Sequence, residues 1–156
     1  MNDASGVIVI KSINYLRKSP KKLIENKISF AGLNSEVSIY DTYESCERVR
    51  LDSNELMFCG MMTGRKIMHS PNDDKGQLFL PHESFIIAPD NFVEIDFPDA
   101  TIETPTSCLT VEISKEKVSS LKDRLSESQP LLASANEWKF GVPVLHTHHS
   151  SATQRL

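Results

Sequence analysis

The sequence predicts a mainly β domain with flanking helices, an α+β arrangement built on a β-sandwich or β-barrel. Between residues 27 and 113, short apolar runs alternate with residues suited to turns, which is typical of such folds. After residue 114, the apolar spacing changes to that of a helix. The length of 156 residues fits a single domain with a shorter segment on each side of the strands.

The first predicted segment, residues 1–26, is helical over residues 3–18. Apolar residues recur there at a helical spacing, and Pro20 ends the helix. The alternative is a strand at residues 7–10, where β-branched residues follow one another without interruption.

Residues 27–113 are predicted to contain the strands. Several runs alternate apolar and polar side chains, so one face of each strand packs in the core. Thr63-Gly64 lies between two apolar runs and predicts a tight hairpin, because glycine adopts a positive φ at little cost. The predicted strands are residues 28–32, 37–40, 49–51, 56–62, 66–68, 85–87, 93–97, 101–103 and 109–113.

Residues 114–140 are predicted to form helices. Ser114 caps the first helix, and the apolar residues that follow it fall on one face. This apolar stripe predicts a dimer interface, the alternative being that the helix packs on the strands. Residues 131–140 predict a second short helix, and residues 141–156 a tail or linker. The stripe consists of Val118, Leu121 and Leu125.

Charge and cysteine content narrow the classes of function. The formal net charge of −4 and the pI of about 5.7 disfavour nucleic-acid binding by this chain, which would require a basic surface. The longest apolar run, Leu56–Met62, is too short to span a bilayer, and the amino terminus has no signal-peptide pattern, so we expect a cytoplasmic protein. Cys46, Cys59 and Cys108 form no CxxC pair and are expected to be reduced thiols, mostly buried.

Motifs for enzyme chemistry are absent or incomplete. The sequence contains neither Gly-x-Ser-x-Gly nor a phosphate-binding glycine loop. His146, His148 and His149 are dense enough for zinc or nickel, but no nearby carboxylate or cysteine completes a shell. This favours a solvated linker or the start of a helix capped by Ser150 or Ser151. His69 and His82 also lack partners at metal-binding spacing. We therefore predict no catalytic residue, no metal ion and no cofactor.

Four of the five methionines fall within residues 57–68. Methionine is unbranched and polarizable, so this cluster is either a soft core beneath the predicted hairpin or the wall of a small-molecule cavity. Under the second interpretation the mouth of a small barrel holds one ligand. The candidate ligand-binding residues are Tyr40, Met57, Phe58, Met61, Met68, His69 and His82.

Five runs of the sequence carry a resemblance to a known family: residues 30–43, 57–69, 81–90, 93–99 and 108–114. Together they resemble the amino-terminal domain of a branch of AraC-type transcriptional regulators. The resemblance covers roughly residues 28–126 and implies a cupin-like jelly-roll β-barrel followed by C-terminal helices, which binds an effector and dimerises. In that family a carboxy-terminal pair of helix-turn-helix motifs binds DNA, and nothing after residue 126 resembles such a pair.

The sequence thus predicts the effector-binding and dimerisation domain of an AraC-family bacterial regulator. We expect an unknown small-molecule effector, a homodimer, no membrane, and DNA contact only through a C-terminal domain absent from this chain. The alternative is a stand-alone metal-dependent cupin enzyme using His69 and His82, although the ligands of metal-binding cupins are missing at matching positions. A third possibility is a β-sandwich interaction module without a ligand.

Overall fold

The computed structural model describes residues 15–71, 75–128 and 143–148. Within these ranges the chain folds into strands, with helical structure at residues 15–18 and in one longer helix, α1 (Lys115–Ser128). None of the described helices is both long and apolar enough to cross a membrane. The strands are β1 (Asn26–Ala31), β2 (Ser35–Thr42), β3 (Cys46–Ser53), β4 (Leu56–Thr63), β5 (Lys66–His69), β6 (Gln77–Phe79), β7 (Glu83–Ile87), β8 (Asn91–Phe97), β9 (Thr106–Ile113) and β10 (Val144–His148).

The strands form two antiparallel sheets. The larger sheet has the order β1-β2-β9-β4-β7-β10, and the smaller has the order β3-β8-β5-β6. The mainly β prediction is confirmed. The predicted closed barrel is not found, because no strand of one sheet pairs with a strand of the other in the described part of the chain.

The predicted hairpin at Thr63-Gly64 is wrong, although the tight turn exists. Gly64 has a φ of +77°, as expected for a turn glycine. However, β4 belongs to the larger sheet and β5 to the smaller one, so the turn carries the chain across the core. A connection between two packed sheets also has apolar runs on both sides of its turn, so this pattern does not distinguish it from a hairpin.

Three further segments differ from the prediction. Residues 101–103, predicted as a strand, lie in a stretch with bends at residues 102–104, and Ile102 is 70% exposed. The short strand β6 was not predicted. Val144–His148, predicted as tail or linker, forms β10, which pairs with β7. The predicted helix at residues 131–140 and most of the helix at residues 3–18 lie outside the described residues.

The core lies between the sheets and is filled by alternate side chains of both. Phe79 of the smaller sheet and Phe85 of the larger sheet meet edge to face, with ring centroids 4.9 Å apart. Both rings are completely or almost completely buried. Aromatic contacts of this kind hold the two sheets together.

An ion pair between half-buried Arg17 and buried Asp41 joins the segment before β1 to β2. Arg17 donates two hydrogen bonds of 2.8 Å to the Asp41 carboxylate, whose residue is fully buried. The hydroxyl of Tyr43 donates to the Arg17 carbonyl oxygen at 2.7 Å. Residues 15–18 are therefore part of the packed structure.

Candidate functional site

Four of the sequence-predicted ligand-binding residues converge in the core. Tyr40 on β2, Met57 and Met61 on β4, and Met68 on β5 belong to one continuous cluster of buried side chains. They come together because each occupies an inward position on its strand and because the Gly64 turn directs β5 to the opposite sheet. Met62, next to Met61 on β4, points away from the core and is exposed.

The other three predicted residues are not brought into this cluster. Phe58 lies between the core residues Met57 and Cys59, and therefore on the outer face of the larger sheet. His69 alternates with Met68, and its Nε2 lies 2.8 Å from Oδ2 of Asp96. His82 is exposed, in the turn before β7, with a φ of 70°.

The outer face around Phe58 is an apolar row across the larger sheet. Each of the six strands contributes one apolar residue to this row, and each of these residues is paired in register with the next one on the neighbouring strand. The row is Phe30, Val37, Val111, Phe58, Ile86 and Leu145, in the order of the strands from β1 to β10.

Lys66 is the functional candidate that the sequence did not suggest. It is only 2% exposed, and it shares the inward face of β5 with Met68. Its Nζ lies 3.0 Å from Sγ of Cys108 on β9 and 5.1 Å from the centre of the Phe97 ring. The signal in the sequence was its spacing of two from Met68, which places both side chains on the same face of a strand.

The groups around Lys66 stabilise its positive charge. Burial lowers the pKa of Lys66, but the charges of Cys108, Cys59 and Glu25 outweigh burial, so the pKa is raised overall. Burial also raises the pKa of Glu25, against the opposing charge of Lys66. Oε1 of Glu25 is buried and has no hydrogen-bond partner. Burial thus opposes ionisation of Glu25, while the positive charge of Lys66 favours it.

The pKa values of the two core cysteines, Cys59 and Cys108, depend on each other and on Lys66. Hydrogen bonding with Cys59 is the largest influence on Cys108 and, together with the charge of Lys66, lowers the pKa of Cys108 to about 7 despite burial. The same hydrogen bond and burial raise the pKa of Cys59. The expectation of buried thiols is met for Cys59 and Cys108, whereas Cys46 is half-buried.

This arrangement has the chemistry of a site for an acidic, mainly apolar molecule. Methionine side chains adapt to irregular shapes, and a ring such as that of Tyr40 adds apolar area. A buried ammonium group requires a negatively charged partner, and a carboxylate group has the charge and the hydrogen-bonding atoms to be one.

The apolar stripe of α1 is accessible. Val118 is half-buried, Leu121 is 40% exposed and Leu125 is 44% exposed. No residue of α1 is buried. The helix predicted from Ser114 onward is confirmed, with the Ser114 hydroxyl accepting a hydrogen bond from the Lys117 amide at 3.2 Å.

A metal centre is not evident in the described residues. Within residues 15–71, 75–128 and 143–148, no three histidine, cysteine or acidic side chains are grouped to hold a metal ion. His146, which the sequence placed in a solvated linker, instead lies on β10 with its ring 4.8 Å from that of Phe79. His149 lies outside the described part of the chain.

Solved structures with a similar fold include two of ToxT. A P21 crystal form of ToxT from Vibrio cholerae is 12% identical, with a TM-score of 0.55, over 76% of this chain and 44% of ToxT. ToxT from Vibrio cholerae O395 bound to (E)-4-(8-methylnaphthalen-1-yl)but-3-enoic acid is 11% identical, with a TM-score of 0.55, over 78% and 45% of the two chains. This chain thus spans less than half of ToxT.

A cupin superfamily protein from Desulfitobacterium hafniense DCB-2 is also similar. It is 9% identical, with a TM-score of 0.47, over 64% of this chain and 88% of that protein. No curated protein sequence matches the chain.

Sequence similarity supplies the family. The profile described as "AraC-type transcriptional regulator N-terminus" matches residues 34–156, well over half of the chain. The match includes nine of the ten described strands and α1. The chain therefore belongs to the family of amino-terminal domains of AraC-type transcriptional regulators.

Proposed function

We propose that this chain is the regulatory domain of a bacterial transcriptional regulator that binds a small acidic effector in its core and pairs with a second copy through α1. The observation that carries the proposal is the Lys66 ammonium group, which lies fully buried among apolar side chains of both sheets. A cation in that position is costly unless an anion accompanies it.

The proposed effector is a monocarboxylic acid with a substantial apolar part. Its carboxylate would pair with Lys66, while its apolar part would displace or repack Met57, Met61 and Met68. The carboxylic acid bound in one ToxT structure supports this chemical class. Phe58, His69 and His82 were also predicted to contact the ligand, but their positions outside the cluster give them no direct role in this proposal.

Titration calorimetry with the acid present in the ToxT structure tests the charge recognition. We expect the acid to bind and its methyl ester to bind much more weakly, because the ester has no negative charge. Lys66→Met should weaken binding of the acid by about ten- to a hundredfold, the value of a hydrogen bond to a charged group.

The matched control is Lys117→Met, which removes an exposed lysine of α1 from the same protein. Binding of the acid should be unchanged in this variant. Equal affinity for acid and ester, or unchanged affinity after Lys66→Met, would refute an effector site at Lys66.

The second part of the proposal is a homodimer formed through the apolar stripe of α1. Two-fold association is the commonest arrangement of soluble oligomers, and regulators that read paired DNA half-sites require two copies. Replacing Leu121 and Leu125 with lysine should give a folded monomer in light scattering. The control Ser119→Lys/Ser120→Lys adds the same charge on exposed positions beside the stripe and should remain dimeric.

DNA recognition is proposed to belong to a different part of the regulator. The net charge of −4 repels phosphate at long range. A titration of this chain against promoter DNA at low salt should therefore show no sequence-selective binding. Selective binding by these residues would overturn the division between a sensing domain and a DNA-reading domain.

The same purified protein distinguishes this proposal from a metal-dependent cupin enzyme. Elemental analysis should find no stoichiometric transition metal if the chain is a regulatory domain. A full equivalent of bound metal, lost together with folding or ligand binding on chelation, would favour the enzyme.

A further inference from the structure

Lys66 and Cys108 form a polar contact that joins the two sheets through the core. Lys66 lies on β5 of the smaller sheet and Cys108 on β9 of the larger sheet, with 3.0 Å between Nζ and Sγ. Both residues are 2% exposed. Cys59 occupies the neighbouring strand β4, where it lies diagonally opposite Cys108, since Cys108 pairs with Met61.

The contact with Lys66 makes Cys108 the nearest candidate for its counter-ion. An ammonium group that is completely buried requires a nearby negative charge. Glu25 is poorly suited to this role because its Oε1 is buried without a hydrogen bond and its pKa is raised by burial. The Cys108 sulfur is in direct contact with Nζ, and the pKa of Cys108 is lowered.

We propose that Cys108 is an oxidation site for small hydroperoxides, with Lys66 as the group that stabilises its thiolate and protonates the leaving oxygen. In this proposal a peroxide reacts with a core cysteine, and the reaction does not depend on binding of an effector. Thiolates, and not thiols, attack peroxides, and an adjacent lysine increases the thiolate fraction.

The reaction is balanced by the residues present and the peroxide. The Cys108 thiolate attacks one oxygen of hydrogen peroxide, forming an S–O bond as the O–O bond breaks. The second oxygen leaves with the bonding electrons and takes a proton from the Lys66 ammonium group, which gives water and a neutral lysine. The sulfur is oxidised to sulfenic acid and the peroxide is reduced.

Cys46 provides a built-in comparison because its properties are opposite to those of Cys108. Cys46 is half-buried, and therefore more accessible. Burial and the nearby carboxylates of Glu25, Glu44 and Asp96 raise the pKa of Cys46. Oxidation controlled by access would begin at Cys46, whereas oxidation controlled by the lysine contact would begin at Cys108.

The test treats the folded chain with hydrogen peroxide at neutral pH. The reaction is then stopped with catalase, and the protein is unfolded in the presence of dimedone, which labels sulfenic acid, before peptide mass spectrometry. We expect Cys108 to react at least about tenfold faster than Cys46. Faster reaction at Cys46, or equal rates at all three cysteines, would overturn the proposal.

The pH dependence supplies a second measurement that needs no variant. The rate at Cys108 should rise between about pH 6 and pH 8, as its thiolate forms, and then level off. The rate at Cys46 should continue to rise into alkaline solution. A Cys108 profile that parallels that of Cys46 would contradict a lysine-stabilised thiolate.

Substitution of the lysine tests the role of the charge. Lys66→Met should slow oxidation of Cys108 by about tenfold or more and shift its profile to higher pH. Lys66→Arg keeps a positive charge and should keep the profile near that of the unmodified protein. Circular dichroism confirms that each variant is folded, and an unchanged profile in folded Lys66→Met would refute the role of Lys66.

Discussion

The side chains of His69 and Asp96 form a hydrogen bond on the outer side of the smaller sheet, with 2.8 Å between Nε2 and Oδ2. The Asp96 carboxylate also accepts a 2.8 Å hydrogen bond from the Arg48 amide. Burial opposes ionisation of this carboxyl, but the hydrogen bonds from Arg48 and His69 outweigh burial and lower the pKa of Asp96. The pair therefore connects β5 and β8 most strongly when Asp96 is ionised.

The lowered pKa of Asp96 predicts a stability loss in acid. A carboxyl with a depressed folded-state pKa stabilises the fold above its unfolded pKa of about 4, and this stability is lost as the pH falls through the folded value. Asp96→Asn should lower the free energy of unfolding at pH 7 by about 1–3 kcal/mol. Below about pH 4, the variant should lose less of its remaining stability than the parent protein does, because it has no Asp96 carboxylate to protonate. Urea unfolding over a pH series measures both effects. Asp99→Asn, which alters an exposed pair with Arg65, should change stability by less than about 1 kcal/mol.

Removing Arg17 should destabilise the domain strongly. Asp41 is fully buried. In Arg17→Ala, the Ser107 hydroxyl would be the one side-chain hydrogen-bond donor left to the Asp41 carboxylate among the described residues. Because Arg17 is itself 29% exposed, we expect the loss to lie at the lower end of the about 3–5 kcal/mol that breaking a buried ion pair costs. Thermal unfolding should show this loss, whereas Lys18→Ala, at the exposed neighbouring position, should stay within about 0.5 kcal/mol of the parent. Similar stability in both variants would contradict an anchoring role for Arg17.

Gly64→Ala should disrupt the crossing between the sheets. A Cβ at this position would lie 2.5 Å from Thr106 Oγ1 and 2.9 Å from Thr106 Cα, and the φ of +77° is unfavourable for alanine. The left-handed conformation alone costs about 1–2 kcal/mol, and the contact adds to that cost. The matched control is Gly60→Ala on β4, whose Cβ would make ordinary contact with Phe58 at 3.4 Å. Chemical denaturation should show a large loss for the first variant and almost none for the second.

Phe79 tests whether the short strand β6 belongs to the core. Its ring is fully buried and lies against Phe85 and His146. Phe79→Ala should lower the free energy of unfolding by about 3–5 kcal/mol, because it leaves a large cavity. Leu78→Ala, at the adjacent exposed position, should cost less than about 0.5 kcal/mol. A small effect of Phe79→Ala would mean that β6 is peripheral.

The strands with clear alternation were predictable because alternation reports directly which face is buried. In β8, Val93, Ile95 and Phe97 point into the core and the residues between them do not. The helix α1 was predictable for the same reason, since its apolar spacing differs from that of the strands. Pairing partners were not predictable, because the sheet to which a strand belongs depends on contacts distant in sequence.

The segments whose structure the sequence predicted wrongly have local physical reasons for the difference. Thr101-Ile102-Glu103 alternates like a strand, but Thr101 and Thr104 bond to each other and close a turn. The histidines of Val144–His148 favour a solvated linker. In the structure, however, His146 packs on Phe79, and Leu145 continues the apolar row of the outer face. A polar composition does not exclude a strand at the edge of a sheet.

The candidate site was partly predictable. Three of the four clustered methionines, Met57, Met61 and Met68, are buried in the core, whereas Met62 is exposed, and whether the buried three contact a ligand stays a prediction. Lys66 was not predictable as a core residue, because lysine is almost never fully buried. Such exceptions are informative where they occur, since a buried charge requires a specific partner.

The ion pair between Arg17 and Asp41 also shows where a stable fragment of this domain must begin. Similarity to the family starts at residue 34, within the turn before β2. A fragment cut at that point would lose the edge strand β1, expose β2 as a new sheet edge, and leave the Asp41 carboxylate without its guanidinium. The boundary of the homologous region and the boundary of the folding unit are therefore different, and expression fragments of this domain should include the chain at least from Arg17.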